Sequence, residues 1–331
     1  MKHPGRVRVL MALTLATGCG GSKVAQISPD RGLPPEAPAA IAPFVAEYGT
    51  PAKHIIVLER DGGLVAYDGA AFRALKQTSP TVFGDVEFQR DARGRPGSLR
   101  MSGQVMPRLA LGPESGNQLL VTPVRPLAEL RREALAASPP HETGPFKPTN
   151  LVELVKLDPT IKLEIRYATS NNLFGTPFYS QARAFLQREP AEALVRANTS
   201  LKARGYGLLI HDGYRPWYVT KMFWEASPVE KRIFVANPAE GSKHNRGAAV
   251  DLTLYELSTG APVEMVSTYD ETTDRAAADY AGGTSRQRWY RALLRRAMEE
   301  QGFIVNPTEW WHFDYRDWKS YGIGNLAFER L

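Results

Sequence analysis

The spacing of apolar residues in the second half of the chain predicts two helices with a strand between them. From Pro190 to Arg204, apolar residues recur every three or four positions, and Gly205 then ends this helical pattern. Residues 250–254 instead alternate strictly between apolar and polar, as in a strand with one polar face. From Arg286 to Gln301 the helical spacing returns.

Further strands complete an α+β domain over residues 150–331. We predict strands at residues 163–168, 206–210 and 303–305, each bordered by a polar loop or a glycine. The alternating strand would carry Asp251 on its polar face.

The preceding part of the chain has a different pattern. Between residues 44 and 112, short runs rich in β-branched and aromatic residues alternate with Gly- and Asp-rich turns. This pattern predicts a small all-β domain, either a sheet or a barrel. Residues 113–149 contain several prolines and predict a connector with one short helix at residues 126–137.

The first residues predict an export signal. A basic stretch leads into an apolar core from Val9 to Ala16, and small residues follow around Cys19. This order is similar to the lipobox of bacterial lipoproteins, in which the cysteine is lipidated; a plain secretory signal and a chance cysteine are the alternatives. We expect a lipoprotein signal at residues 1–19, a flexible tether at residues 20–43, and an exported protein of the periplasm or cell envelope that is lipid-anchored at Cys19.

Composition narrows the class of protein. With 43% hydrophobic and 23% charged residues, the chain is too apolar for wholesale disorder. It has no apolar run of about 18 residues to span a bilayer, so membrane contact is expected only through the lipid. The net charge of +6 includes Lys2, Arg6 and Arg8 of the predicted signal, and the remainder is too small to indicate nucleic-acid binding. The single cysteine excludes an internal disulfide framework.

Three short stretches contain nearly all residues suited to catalysis. The first holds His244 and Asp251, the second holds Glu309 and His312, and the third holds Arg215 in a turn after a predicted strand. Taken singly, each has an ordinary structural explanation, as a loop histidine, a packed ion pair or a turn. Together, His244, Asp251 and His312 supply three ligands for a mononuclear hydrolytic zinc site and leave a fourth position for water.

Two charged residues could complete such a site. Glu309 is close to His312 in sequence and could sit beside the metal without binding it, taking a proton from the attacking water and passing it to the leaving amine. Arg215 offers planar donors for an anionic tetrahedral intermediate or a carboxylate.

Two motifs resemble those of the lysostaphin-type, D-Ala-D-Ala and hedgehog-like metallopeptidases. They are Ser242-x-His244-x-x-Gly247-x-Ala249-x-Asp251 and Glu309-x-Trp311-His312. Within this family, residues 151–315 are most similar to the D-alanyl-D-alanine dipeptidases of the vancomycin-resistance type. Supporting stretches are Arg166–Gly175, Gly213–Pro216, Asp251–Tyr255 and Pro307–Phe313. The resemblance implies an antiparallel sheet with flanking helices in a zinc peptidase domain.

The resemblance also implies a role for each matching residue. One Zn²⁺ per chain would be bound by His244, Asp251 and His312, with Glu309 as general base and Arg215 as transition-state stabiliser. Ser242 would contact the substrate, and Asp270 would hold the free ammonium of the dipeptide. Tyr269 stands before Asp270 where phenylalanine is more usual.

These inferences predict a zinc enzyme that hydrolyses D-Ala-D-Ala, and three alternatives remain. One is a D,D-carboxypeptidase that trims peptidoglycan stem peptides. Another is a non-catalytic, zinc-stabilised binding module, although a structural zinc needs neither Glu309 nor Arg215. In the third, the β domain is the main functional part and contacts the cell wall or a partner protein.

Overall fold

The structure is a computed structural model that describes residues 28–115 and 120–331. The predicted signal at residues 1–19, with Cys19, lies outside the described residues. The predicted fold class is confirmed: the chain is α+β, with all-β sheets in its N-terminal part and a mixed α+β domain after them. No helix in the described ranges is long and apolar enough to cross a membrane.

The elements of the described chain are fifteen strands and five α-helices, besides short 3-10 turns. The strands are β1 (Ala46–Thr50), β2 (Lys53–Arg60), β3 (Gly63–Tyr67), β4 (Phe72–Leu75), β5 (Val82–Phe83), β6 (Val86–Arg90), β7 (Pro96–Met101), β8 (Gln104–Pro107), β9 (Leu151–Glu153), β10 (Lys162–Leu163), β11 (Phe185–Gln187), β12 (Tyr206–Asp212), β13 (Ala249–Glu256), β14 (Phe303–Asn306) and β15 (Glu309–Tyr315). The helices are α1 (Leu127–Ala136), α2 (Leu154–Leu157), α3 (Arg188–Lys202), α4 (Trp217–Ala226) and α5 (Ser285–Glu299).

The N-terminal β domain consists of two four-stranded antiparallel sheets. Strands β1–β4 form one sheet and β5–β8 the other, each in sequence order. Aromatic rings fill the space between them: Phe44 lies against Phe83 and Phe88, and Tyr48 lies against Phe88. This small core is distinct from the larger core of the C-terminal part of the chain, which Ile56, Leu58 and Val65 of the first sheet join.

A five-stranded sheet with the order β10-β12-β13-β15-β14 forms the centre of the C-terminal domain. All neighbouring pairs are antiparallel except β10 and β12, which are parallel. The prediction of a strand at residues 163–168 is wrong beyond Leu163. The chain leaves the sheet there and forms a 3-10 turn at Arg166–Ala168, which buries the ring of Tyr167.

Helices α3 and α5 pack together and against the central sheet. α5 begins with a capping box, in which Thr284 and Gln287 exchange side-chain and backbone hydrogen bonds. Val250 and Leu252 of β13 lie in the same apolar core as these helices. Since side chains alternate along a strand, Asp251 faces the opposite side of the sheet, where the candidate site lies.

The described part of the predicted tether runs along α5. Trp289 Nε1 donates to the carbonyl oxygen of Arg31 at 2.9 Å, and Arg286 Nε donates to that of Pro34 at 2.9 Å. Residues 31–34 are therefore held by side chains of α5.

Candidate active site

Neighbouring strands bring the three predicted metal ligands together. Asp251 of β13 lies directly opposite His312 of β15, and His244 lies in a 3-10 turn just before β13. His312 Nδ1 is 2.9 Å from Asp251 Oδ1 and 3.2 Å from His244 Nε2, and His244 Nε2 is 3.5 Å from Asp251 Oδ1. These atoms converge on one point, so the three residues could hold a single metal ion.

Gly247 ends the turn that carries His244. It has a positive φ of 63°, and a Cβ at this position would lie 2.6 Å from Leu151 Cδ2. A side chain here would be strained and would collide with the core, which explains a glycine three residues after the histidine.

Hydrogen bonds to the opposite ring nitrogens orient both histidines. His244 Nδ1 lies 2.8 Å from the carbonyl oxygen of Gly213, which can only accept, so Nδ1 carries the proton and Nε2 is free to bind a metal. His312 Nε2 lies 2.9 Å from Asp314 Oδ1, an arrangement typical of carboxylate–histidine–metal sites. Asp314 forms a salt bridge with Lys243 on its other side.

The negative charges around His312 favour a positive charge at this position, either on the ring itself or on a bound metal ion. Although burial disfavours its protonated form, hydrogen bonds to Asp251 and Asp314 raise the pKa of His312 to about 10. Burial also works against the ionised form of Asp314, but the His312 hydrogen bond outweighs it and lowers the pKa of Asp314. A proton on Nδ1 of His312 occupies the position facing Asp251, and a metal ion would supply the same positive charge there.

Tyr269 holds the second oxygen of Asp251. Its hydroxyl donates to Asp251 Oδ2 at 2.9 Å, which leaves Oδ1 facing the histidines. The ring lies between His211 and Trp311, with centroid distances of 4.8 and 5.5 Å. The hydroxyl that distinguishes Tyr269 from phenylalanine therefore has a defined partner.

Glu309, the predicted general base, opens strand β15 beside the ligand set. Its Oε2 is 3.8 Å from His312 Nδ1 and accepts a hydrogen bond from Asn306 Nδ2 at 2.9 Å. Asn306 pairs with Glu309 next to an irregularity in the β14–β15 register. The side chain of Glu309 is 38% exposed, so water can reach its carboxylate.

Arg215 is a buried cation fixed by a buried carboxylate. Its Nε and Nη2 donate to Asp212 Oδ2 at 3.0 and 2.6 Å, and its guanidinium lies over the rings of Tyr167 and Phe223. Burial disfavours the charge, but Asp212 outweighs this and holds the pKa of Arg215 well above its usual value. The backbone N–H of Arg215 donates to the carbonyl oxygen of His244 at 3.1 Å, and this bond links Arg215 to the turn that carries His244.

The two predicted substrate-binding residues, Ser242 and Asp270, have different surroundings. Ser242 Oγ accepts the backbone N–H of His244 at 3.2 Å, so the hydroxyl supports the ligand turn. Asp270 is half-buried, has a positive φ of 59° and accepts a hydrogen bond from the Tyr167 hydroxyl at 3.0 Å. It borders a cleft of about 620 Å³. Burial and the nearby Asp251 carboxylate raise the pKa of Asp270 to about 8.

Sequence reasoning missed four residues of this site. They are Asp212, Tyr269 in its contact with Asp251, Asn306 and Asp314. Asp314 alone carried a usable signal, since it lies two positions after His312 on a strand and so points to the same face.

The fold and the site define a class of hydrolases: an α+β domain whose sheet carries a convergent His–Asp–His set, a carboxylate beside it and a buried arginine. Residues 147–322 match the family described as D-Ala-D-Ala dipeptidase, peptidase M15. The chain belongs to this family and is a peptidase, which confirms the family predicted from the motifs.

Two curated relatives show how far the similarity extends. The D-alanyl-D-alanine dipeptidase of Escherichia coli (strain K12) is 34% identical over 175 residues, covering 53% of this chain and 89% of that protein. The D-alanyl-D-alanine dipeptidase of Enterococcus faecium is 35% identical over 175 residues, covering 47% of this chain and 87% of that protein. A solved structure of the LD-carboxypeptidase LdcB covers 55% of this chain and 72% of its own, at 20% identity and a TM-score of 0.32, which is too low to support an argument.

Proposed function

We propose that this protein is a zinc-dependent dipeptidase that hydrolyses D-Ala-D-Ala to free D-alanine. The observation that carries the proposal is the convergence of His244, Asp251 and His312 on one point, with the Glu309 carboxylate 3.8 Å from a ligand nitrogen. The family match and the dipeptidase relatives support the substrate class.

The donor set fits zinc. Two imidazole nitrogens and one carboxylate oxygen suit a tetrahedral ion with one open position, and both rings are oriented by acceptors behind them. When bound there, zinc lowers the pKa of a water molecule towards neutrality and polarises a carbonyl group.

Glu309 acts as the general base in this proposal. Its Oε2 takes a proton from the attacking water and returns it to the nitrogen of the scissile peptide bond as that bond breaks. Asn306 holds the carboxylate on the side of His312, and partial exposure keeps it in contact with water.

Arg215 stabilises the anionic oxygen that develops on the scissile carbonyl. Asp212 occupies its Nε and Nη2 on one side, which fixes the plane of the guanidinium. Since the charge is permanent and its orientation is set before substrate binds, little reorganisation is needed during the reaction.

Asp270 selects the dipeptide over longer peptides. A free dipeptide carries an ammonium group one residue from the scissile bond, whereas a stem peptide has a neutral amide there. Burial and Asp251 raise the pKa of Asp270 in the empty site, and the ammonium of a bound dipeptide favours its ionised form and pairs with it. Beside a neutral amide the half-buried carboxylate would lose hydration without this compensation. Ser242 supports the turn that carries His244 and would lie beside the bound substrate.

The test is alanine release by the purified zinc-loaded protein from D-Ala-D-Ala and from N-acetyl-D-Ala-D-Ala. We expect rapid release from the free dipeptide, little from the acetylated one, and a loss of about 10²-fold or more in Glu309→Gln with zinc retained. Equal cleavage of both substrates would favour a D,D-carboxypeptidase. A zinc-loaded wild type that releases no alanine would favour a non-catalytic binding module.

A further inference from the structure

The β domain contacts one loop of the peptidase domain at two places. This loop, residues 257–284, joins β13 to α5 and carries Tyr269 and Asp270; we call it the site loop. The family match begins at residue 147, so the β domain lies outside the region shared with the dipeptidase relatives.

The first contact fixes the end of the site loop through two buried carboxylates. Tyr280 donates its hydroxyl proton to Glu47 Oε1 at 2.7 Å, and Glu47 is only 5% exposed. The backbone N–H of Glu59 donates to the carbonyl of Gly283 at 3.2 Å. Glu59 Oε2 accepts the N–H of Ser285, the first residue of α5, at 2.7 Å, a favourable position for a carboxylate at a helix N-terminus.

The second contact lies next to Asp270. Gly112, the last residue of the predicted β domain, has a positive φ, a backbone conformation that favours glycine. A Cβ there would be 3.0 Å from Glu271 Oε2 and 3.3 Å from Arg275 Nη1, so a larger residue would have to displace these side chains of the site loop.

Hydrogen bonds within the site loop join residues close to Asp270 in the chain. The buried Glu271 accepts from Thr273 Oγ1 at 2.6 Å, and Arg275 Nη2 donates to the carbonyl of Val266 at 2.6 Å. The bond between Arg275 and Val266 joins residues that lie before and after Asp270 in the sequence. Asp270 has a positive φ, which its surroundings must maintain.

We propose that the β domain sets the position of Asp270, with Glu47 and Glu59 as positioning residues for substrate binding. This inference rests on the proposed role of Asp270 in holding the dipeptide ammonium. The metal ligands lie on β13, on β15 and in the turn before β13, and of the hydrogen bonds described above only that from Tyr269 to Asp251 joins the site loop to them. Loosening the site loop therefore alters substrate binding more than metal binding or the chemical step.

The test compares Tyr280→Phe with Glu47→Gln, whose amide oxygen can still accept from Tyr280, and with Arg73→Ala on the exposed surface of the β domain. We expect Tyr280→Phe to raise KM for D-Ala-D-Ala by about three- to tenfold, with kcat within about twofold of wild type and zinc content unchanged. Amide hydrogen exchange of residues 265–273 should also become faster. Glu47→Gln should show a smaller change, and Arg73→Ala none.

Two outcomes would overturn the inference. One is an unchanged KM together with unchanged amide exchange at residues 265–273 in folded Tyr280→Phe. The other is a fall in kcat alone. If Tyr280→Phe does not fold, Glu59→Gln tests the same contact through Ser285. If the wild type does not distinguish free from acetylated dipeptide, the proposed function fails, whereas the exchange of the site loop still reports whether the β domain positions it.

Discussion

Asp314 holds the ring of His312 from the side opposite Asp251. Replacing it with asparagine keeps the size and an acceptor oxygen but removes the charge, so the His312 ring loses part of its basicity. We expect Asp314→Asn to weaken zinc binding by about 10- to 100-fold, measured by competition with a chelator. Asp317→Asn, an exposed acid nearby, is the matched control. Equal zinc affinity in wild type and Asp314→Asn would show that this carboxylate does not support the ligand.

Asp270 makes stability depend on pH in the metal-free protein. Its pKa is raised to about 8 in the folded state, against about 3.9 in an unfolded chain, so the folded state holds the proton more tightly. Stability associated with this group is therefore lost as pH rises from about 4 to about 8. Asp270→Asn removes the titration, and asparagine tolerates the positive φ.

We expect chelator-treated Asp270→Asn to become increasingly more stable than chelator-treated wild type between pH 5 and pH 8, on the order of a few kcal/mol at most. Urea unfolding at several pH values measures the difference. A difference that stays constant across this range would contradict the raised pKa.

The ligand residue types could be predicted from sequence because histidine, aspartate and glutamate recur at motif spacings. Their supporting residues could not. Asp212 and Asn306 lie only three residues from their partners Arg215 and Glu309, but each contact depends on the turn that the chain makes between the two residues. The contact of Tyr269 with Asp251 spans 18 positions of chain and depends on the path of the loop after β13, which the local sequence pattern does not encode.

At the level of elements, the β14–β15 hairpin places Glu309, the proposed general base. The register shifts where Asn306 pairs with Glu309, and Glu309 Oε2 lies there 3.8 Å from His312 Nδ1. We expect Asn306→Ala to lower kcat about tenfold while zinc content is unchanged, because Glu309 loses its hydrogen-bond partner. Ile304→Ala, an exposed position on β14, is the control. A kcat equal to that of wild type would show that Asn306 does not position Glu309.

Predicted elements agree with the structure where the periodicity is long. The helices predicted at residues 190–204 and 286–301 are observed at Arg188–Lys202 and Ser285–Glu299. The strand predicted from the short pattern at residues 163–168 is wrong, because the chain forms a 3-10 turn at Arg166–Ala168 that buries Tyr167. Apolar and polar residues alternate along β13, but the polar face of this strand lines the candidate site and is not exposed to solvent. Both Asp251 and Val250 are buried.

At the scale of the whole molecule, the predicted signal at residues 1–19 leads us to expect an exported protein. If Cys19 is lipidated, Cys19→Ser removes the point of attachment, and we expect the protein to move from the membrane fraction to the soluble fraction. Ser22→Ala, close to the cysteine, is the control. Fractionation that does not change in Cys19→Ser would leave a plain secretory signal as the better explanation.

The central claim is that His244, Asp251 and His312 bind a catalytic zinc. Anomalous X-ray diffraction at the zinc edge, from crystals of protein active on D-Ala-D-Ala, tests it most directly. We predict one strong peak per chain, about 2.0–2.2 Å from His244 Nε2, His312 Nδ1 and Asp251 Oδ1. A peak at another group of residues, or none in protein that still cleaves the dipeptide, would contradict the account.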